Sequence, residues 1–274
     1  MKRKYFAYPY ILWMICLILA PVLLIFYYAL TKTTEQGMAF TFSNLGQVFD
    51  PLYLNVLGFS LYMAVIATLI CLVLGYPIAY MLSKMSAKTS AILSLLFMLP
   101  MWMNMLLRTY AWMSLLQTKG IVNAFFGWFG LGPYQFLYTK TAVIVGLVYN
   151  FLPFMILPIY NTLQKIPQAT VEAAQDLGAN HAQVFTRLIF PQSLPGVVSG
   201  VSMVFVPSIT TFAISSLLGG GKTPMYGDLI QNQFLTANNW NFGSALSVVL
   251  MILVALSMWL SARVDDGQEG GTLL

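Results

Sequence analysis

The side chains able to do chemistry are few and scattered. His181 is the only histidine, and no second histidine or cysteine stands at ligand spacing from it, so no metal site is predicted. Cys16 and Cys71 both fall inside apolar runs and read as small core hydrophobes. Gly219-Gly220-Gly221-Lys222-Thr223 imitates the end of a phosphate-binding loop, but Ser216 stands where that pattern needs its first glycine. No Ser-His-Asp arrangement is present, and no carboxylates pair within the apolar runs, so no catalytic residue is predicted. Two features remain. One is a polar island, Val171-Glu172-Ala173-Ala174-Gln175-Asp176-Leu177-Gly178, followed by Ile189-Phe190-Pro191. The other is Arg108, the one ionisable residue placed inside an apolar run.

The elements that position these residues follow from composition. The chain has 274 residues, 59% hydrophobic and 8% charged, against roughly 25% charged in a soluble domain. A polytopic membrane protein is the default for such a chain. In lipid every backbone amide must be paired internally, which leaves helices or a closed barrel. Barrel strands are about 10 residues long and alternate strictly; the apolar runs here are longer and do not alternate. Six are long enough to cross about 30 Å of hydrocarbon: Tyr10–Leu30, Val56–Leu82, Ala91–Leu116, Thr141–Thr162, Leu194–Leu217 and Phe242–Ser261. The first is too long for a signal-peptide core and lacks a small-x-small cleavage site, so it is read as a span. The fold class predicted is an all-α polytopic membrane protein with six transmembrane helices.

Lys and Arg set the orientation. With the N-terminus cytoplasmic, Lys2, Arg3, Lys4, Lys84, Lys88, Lys165, Arg187 and Arg263 lie inside, and Lys32, Lys119, Lys140 and Lys222 outside. That asymmetry favours cytoplasmic N- and C-termini in a multi-pass protein of the cell membrane, and it places the island in the cytoplasm. The net charge of +5 reads as this topology signal; the basic residues are scattered, so no nucleic-acid partner is expected. The layout divides into 1–55 (tip, first span and outer loop), 56–262 (five-span core, with the island at 167–190) and a Gly-rich acidic tail at 263–274 predicted to be disordered.

The island reads as two short helices. Pro167 suits a first helical turn. Thr170, Ala173, Ala174 and Leu177 repeat at helical spacing as a narrow apolar face, with Glu172, Gln175 and Asp176 elsewhere. Gly178 fits the left-handed position that ends a helix, Asn180 can cap a second helix, and Pro191 is expected to stop it. A helix lying on an anionic membrane surface would carry Lys and Arg on its polar face. Glu172 and Asp176 favour docking to a soluble partner instead.

Around Arg108 stand Trp102, Asn104, Tyr110 and Trp112, with Tyr149 on the next span; these six are the candidate substrate-path residues. Ring faces of Trp and Tyr can attract a passing cation, and Trp102 and Trp112 are the favoured contacts. Trp102 and Arg108 lie about 240° apart around a helix and cannot face one narrow path together. Arg108 has two open roles: lining a path, or snorkelling to the outer surface. These spans hold no carboxylate to balance the guanidinium, and Asp228 is the nearest acidic side chain by topology.

Glu172-Ala173-Ala174, Gly178 and Ile189-x-Pro191 together resemble the EAA motif of ABC-importer permeases, with Phe190 where Leu is more usual. Leu74-Gly75-Tyr76-Pro77-Ile78-Ala79-Tyr80 and Leu152-Pro153-Phe154 support the match. Asp50-Pro51-Leu52-Tyr53, Arg108-Thr109-Tyr110, Thr118-Lys119-Gly120 and Gly146-Leu147-Val148-Tyr149 narrow it to the spermidine/putrescine type. The resemblance implies a type I (MetI-like) permease fold. It also implies an ATPase-coupling role for Glu172, Ala173, Ala174, Asp176, Leu177 and Gly178. The implied partners are a homologous second permease, an ATP-binding-cassette ATPase dimer, an extracytoplasmic substrate-binding protein and membrane lipid. No cofactor is implied on this chain, ATP and Mg being bound by the ATPase. A permease for another small solute is the alternative. A secondary transporter is less favoured, because ion-coupling carboxylates are missing from the spans.

Overall fold

The computed structural model describes residues 13–34 and 37–269. The basic start Lys2-Arg3-Lys4, residues 10–12 of the first expected span and the end of the tail lie outside the described residues.

Four helices are long and apolar enough to cross a membrane: α3 (Pro51–Lys84), α7 (Lys140–Leu163), α9 (His181–Thr210) and α12 (Trp240–Glu269, apolar to Arg263). α4 (Ala87–Trp102) and, after a sharp bend, α5 (Met105–Leu116) with α6 (Ile121–Trp128) are together long and apolar enough for a fifth, broken span, and α1 (Ile15–Ala29) is a shorter apolar helix. Short helices α2 (Ser43–Val48), α8 (Gln168–Asp176), α10 (Ala213–Gly219) and α11 (Tyr226–Leu235) connect them. The all-α reading needs one amendment, a small antiparallel hairpin of β1 (Thr31–Thr34) and β2 (Gly37–Phe40) with Thr31 opposite Phe40.

α7 is the hub, packed against α3, α9, α10, α4 and α5. Glycines let it come close: a Cβ at Gly75 of α3 would stand 3.0 Å from Met155 Cγ, and one at Gly200 of α9 2.8 Å from Met155 Sδ. Small residues serve this purpose in lipid, where tails compete with side chains and close backbone approach gives the packing gain. α1 packs instead on α12. There Asn241 donates to the carbonyls of Tyr28 (3.0 Å) and Thr31 (2.6 Å), and Asn44 to those of Ala29 (3.2 Å) and Thr31 (2.7 Å), satisfying the end of α1.

Four expectations are corrected. The span predicted over Ala91–Leu116 is broken at Met103-Asn104 and bends by 92°. The break has a local cause: Asn104 Oδ1 accepts from the amides of Leu106 (2.8 Å) and Leu107 (3.4 Å), starting a new helix just after Pro100. The span predicted over Leu194–Leu217 ends at Thr210, and extended Thr211 separates it from α10. Pro191 does not stop the second island helix. A wide turn at Phe185–Ile189, in which the Phe190 amide reaches back to the Phe185 carbonyl, absorbs the proline and carries α9 unbroken from His181. Finally, α12 runs to Glu269, into the 263–274 stretch for which the sequence predicts a disordered tail.

Candidate coupling elbow and translocation path

α8 stands between α7 and α9 at the end of the bundle that also carries Lys84; this is called the island end. Pro167 (φ −65°, ψ 134°) precedes α8 rather than occupying its first turn. The expected apolar face splits in two. Ala174 joins Val171, which the sequence reading left out, and the pair packs inward on the core. Thr170, Ala173 and Leu177 form a separate exposed stripe, with Leu177 90% exposed. Helical periodicity allows both stripes; what selects the inner one is the β-branched Val171, which fills the space beside Ile189 and Leu163. Glu172 and Asp176 are exposed, and Glu172 Oε1 accepts from Gln168 Nε2 at 3.3 Å, one turn back.

The end of α8 is built as expected. The Gly178 amide donates to Gln175 O (2.8 Å) and the Ala179 amide to Ala174 O (3.1 Å), with Gly178 at φ +84°. No atom stands within 4 Å of where a Gly178 Cβ would lie, so backbone conformation rather than crowding demands the glycine. Asn180 then caps α9 reciprocally with Gln183: Gln183 N donates to Asn180 Oδ1 (2.8 Å), and Asn180 N to Gln183 Oε1 (2.9 Å). His181 is exposed in the first turn.

This elbow is tied to the bundle by aromatic contacts that sequence spacing alone does not bring together. Phe185 and Phe190 of α9 meet Tyr76 at centroid distances of 5.9 and 5.8 Å, and Phe185 meets Tyr80 at 5.5 Å. Tyr76 and Ser193 share a hydroxyl hydrogen bond of 2.8 Å. The wide turn in α9 lies inside this cluster. Beside it a groove of about 680 Å³ opens between α8 and the α3–α4 corner, lined by Tyr80, Lys84, Leu163, Gln168 and Val171. α8 meets the first turn of α9, and the aromatic cluster joins that part of α9 to α3.

The six path candidates separate. Arg108, Trp112 and Tyr149 come to one side: Arg108 and Trp112 are a turn apart on the inward face of α5, and Trp112 packs edge-on against Tyr149 of α7 at 5.3 Å. Trp102 is 76% exposed at the break, Tyr110 is exposed on the opposite face of α5, and Asn104 is spent as the helix cap. Arg108 is only 9% exposed and turned inward, which speaks against snorkelling. Its Nε and Nη1 are buried with no hydrogen-bond partner among the described residues. Asp228 of α11 caps its own helix, accepting from the Met225 amide at 2.7 Å. Burial pushes its carboxyl above the usual range, opposed by the Met225 amide, while its Oδ1 is buried without a hydrogen-bond partner among the described residues.

A bundle of broken and unbroken spans with one exposed, motif-bearing elbow defines a membrane permease of the type I importer fold. The family described as binding-protein-dependent transport system inner membrane component matches residues 72–269. The chain is 40% identical over 260 residues to the spermidine/putrescine transport system permease protein PotB of Escherichia coli, covering 92% of this chain and 94% of that protein. It is 42% identical to PotB of Haemophilus influenzae, covering 92% and 90%. Among solved structures, a bacterial ABC transporter that imports the acidic polysaccharide alginate superposes with a TM-score of 0.79 at 19% identity, covering 96% of this chain and 97% of that one. The MetNI methionine transporter superposes at 0.56 and 18% identity, covering 76% and 92%. The chain belongs to the family of binding-protein-dependent transport system inner membrane components.

Proposed function

We propose that this chain is a permease subunit of a polyamine importer, moving spermidine or putrescine inward by alternating access. The observation that carries the cargo is the 40–42% identity, over nearly the whole chain, to permeases named for spermidine and putrescine. The fold does not choose the cargo, since an importer of an acidic polysaccharide shares it. The chemistry fits a cation: Trp112 and Tyr149 present ring faces and edges beside one another, and ring faces attract ammonium groups weakly enough to release them.

In this reading the island end faces the cytoplasm, as the Lys and Arg distribution favours, and both termini lie on that side. Glu172, Ala173, Ala174, Asp176, Leu177 and Gly178 form the contact with an ATP-binding-cassette ATPase dimer, which binds ATP and Mg. A homologous second permease completes the path, and an extracytoplasmic binding protein delivers cargo to the opposite end. Closure of the ATPases pushes α8. The aromatic cluster around Tyr76 and Phe185 carries the push into α3 and α9, and the spans open outward. The chain itself carries out no bond-breaking chemistry.

The test is ATP-dependent uptake by the co-expressed complex in proteoliposomes, with labelled spermidine and putrescine and an excess of unlabelled competing solutes. Polyamine uptake that only polyamines inhibit is the expected result. Competition by an unrelated solute at equal concentration, with no polyamine uptake, overturns the cargo.

A further inference from the structure

We propose that Arg108 is a carboxylate-binding site, completed in the assembled transporter by an acidic side chain of the second permease. The inference rests on the reading above that two permeases form the path.

α5 is inside out with respect to charge. Its exposed stripe is Leu106, Leu107 and Tyr110, while Arg108 is turned inward and 9% exposed. A buried lysine or histidine can shed its proton; a guanidinium cannot at any physiological pH. An ionised group held away from water needs an opposite charge and hydrogen-bond acceptors. Nε and Nη1 of Arg108 have neither. The planar guanidinium fork matches a carboxylate better than any other protein group.

The chain's own described carboxylates are placed elsewhere. Asp50 precedes α3, Glu172 and Asp176 lie on the exposed island, and Asp265, Asp266 and Glu269 lie on the last turns of α12. Among the described residues Asp228 alone lies on a helix packed against α10, the short helix on which α5 rests. Its Oδ2 accepts from the Met225 amide at 2.7 Å, and its Oδ1 is buried without a described hydrogen-bond partner, so this carboxyl does not pair with Arg108 either. No described carboxylate meets the guanidinium, and in this proposal the counter-charge comes from the second permease. The cargo requires the same thing. Trp112, which packs on Tyr149, stands one turn from Arg108 on the same face of α5, and an uncompensated guanidinium there would repel a polycation. A carboxylate delivered by the second permease neutralises this obstacle only when the complex is assembled.

The experiment uses the full complex of both permeases, ATPase and binding protein. Arg108→Lys keeps the charge and introduces a primary amine. A water-soluble carbodiimide joins that amine to an adjacent carboxylate as an amide, with loss of water, and mass spectrometry maps the linked peptide. The expected product links this chain to an acidic residue of the second permease. Arg108→Gln lowers polyamine uptake about tenfold or more, and neutralising the mapped carboxylate in the same complex restores most of it. An amide mapped to Asp228, no amide at all, or parental uptake by Arg108→Gln overturns the proposal. So does parental uptake that collapses when chloride is replaced by gluconate, which would assign the site to a mobile anion. A parent complex that assembles but moves no polyamine overturns the cargo reading alone, because the cross-link requires assembly and not transport.

Discussion

Glu172 and Arg108 are handled in opposite ways by the same chain. Glu172 sits on a short helix closed at its C-terminal end by Gly178, exposed to solvent and held by local hydrogen bonds. Arg108 sits just past a 92° break, buried, with donors that no described group satisfies. The elbow is complete as a local structure and waits only for a surface to press on it. The broken region is incomplete by itself, and its polar groups make sense once other chains are in place. A permease thus carries one site whose structure is set by neighbours in sequence and another set by assembly.

The largest effect that can break this contrast is expected at Gly178. Substitution by Val forces a β-branched residue to φ +84°, at a cost of about 1–2 kcal/mol of local conformation, and nothing nearby clashes. Gly178→Val should therefore insert and fold, yet lose more than about tenfold in ATP-driven uptake while substrate-stimulated ATP turnover falls with it. Normal coupling in that variant means the elbow is not the contact. Leu177→Asp comes next. The side chain is almost fully solvated, so thermal stability in detergent should not change, whereas binding of the ATPase should weaken by about 1–3 kcal/mol as for a central interface residue. An equal loss of stability would show that Leu177 serves the fold.

The broken region gives smaller effects. Asn104→Ala removes the cap that restarts the helix and should cost about 1 kcal/mol of stability, read by thermal unfolding in detergent. Trp112→Leu should reduce polyamine uptake several-fold, within the range of one lost ring contact, and Trp102→Leu should leave uptake unchanged because that ring faces away; the reverse ranking would reassign the path. The smallest effect is at Asp228. Its carboxyl is raised by burial, so the folded state holds the proton more tightly than the unfolded chain. Stability from that proton is present at acid pH and declines as pH rises through the folded value. Asp228→Asn should then match the parent near pH 4 and exceed it slightly at pH 7 in thermal unfolding.

How much was legible follows the same division. Gly178 at the end of α8 and the Asn180 cap were readable, because each is fixed by residues a turn away. The inward pair Val171 and Ala174 was not, because two helical stripes compete on α8 and only the surrounding α7 and α9 side chains choose between them. The wide turn at Phe185–Ile189 was hidden for a similar reason: Pro191 signals a helix stop, and only packing against Tyr76 and Tyr80 keeps the helix running. Pro100 and Asn104 together carried the break signal, a proline followed closely by a capping residue, but a continuous apolar run outweighed it. Arg108 stood out as a charge in an apolar run, but its burial was not foreseeable, since the direction of α5 depends on that break.

The most direct measurement asks where Leu177 points. In a Cys16→Ser, Cys71→Ser background, Leu177→Cys is exposed to a membrane-impermeant maleimide in vesicles of each orientation, with and without the ATPase subunit. The thiol should react only in inverted vesicles, and the ATPase should protect it. Reaction from the outer side, or full reactivity with the ATPase bound, contradicts the account.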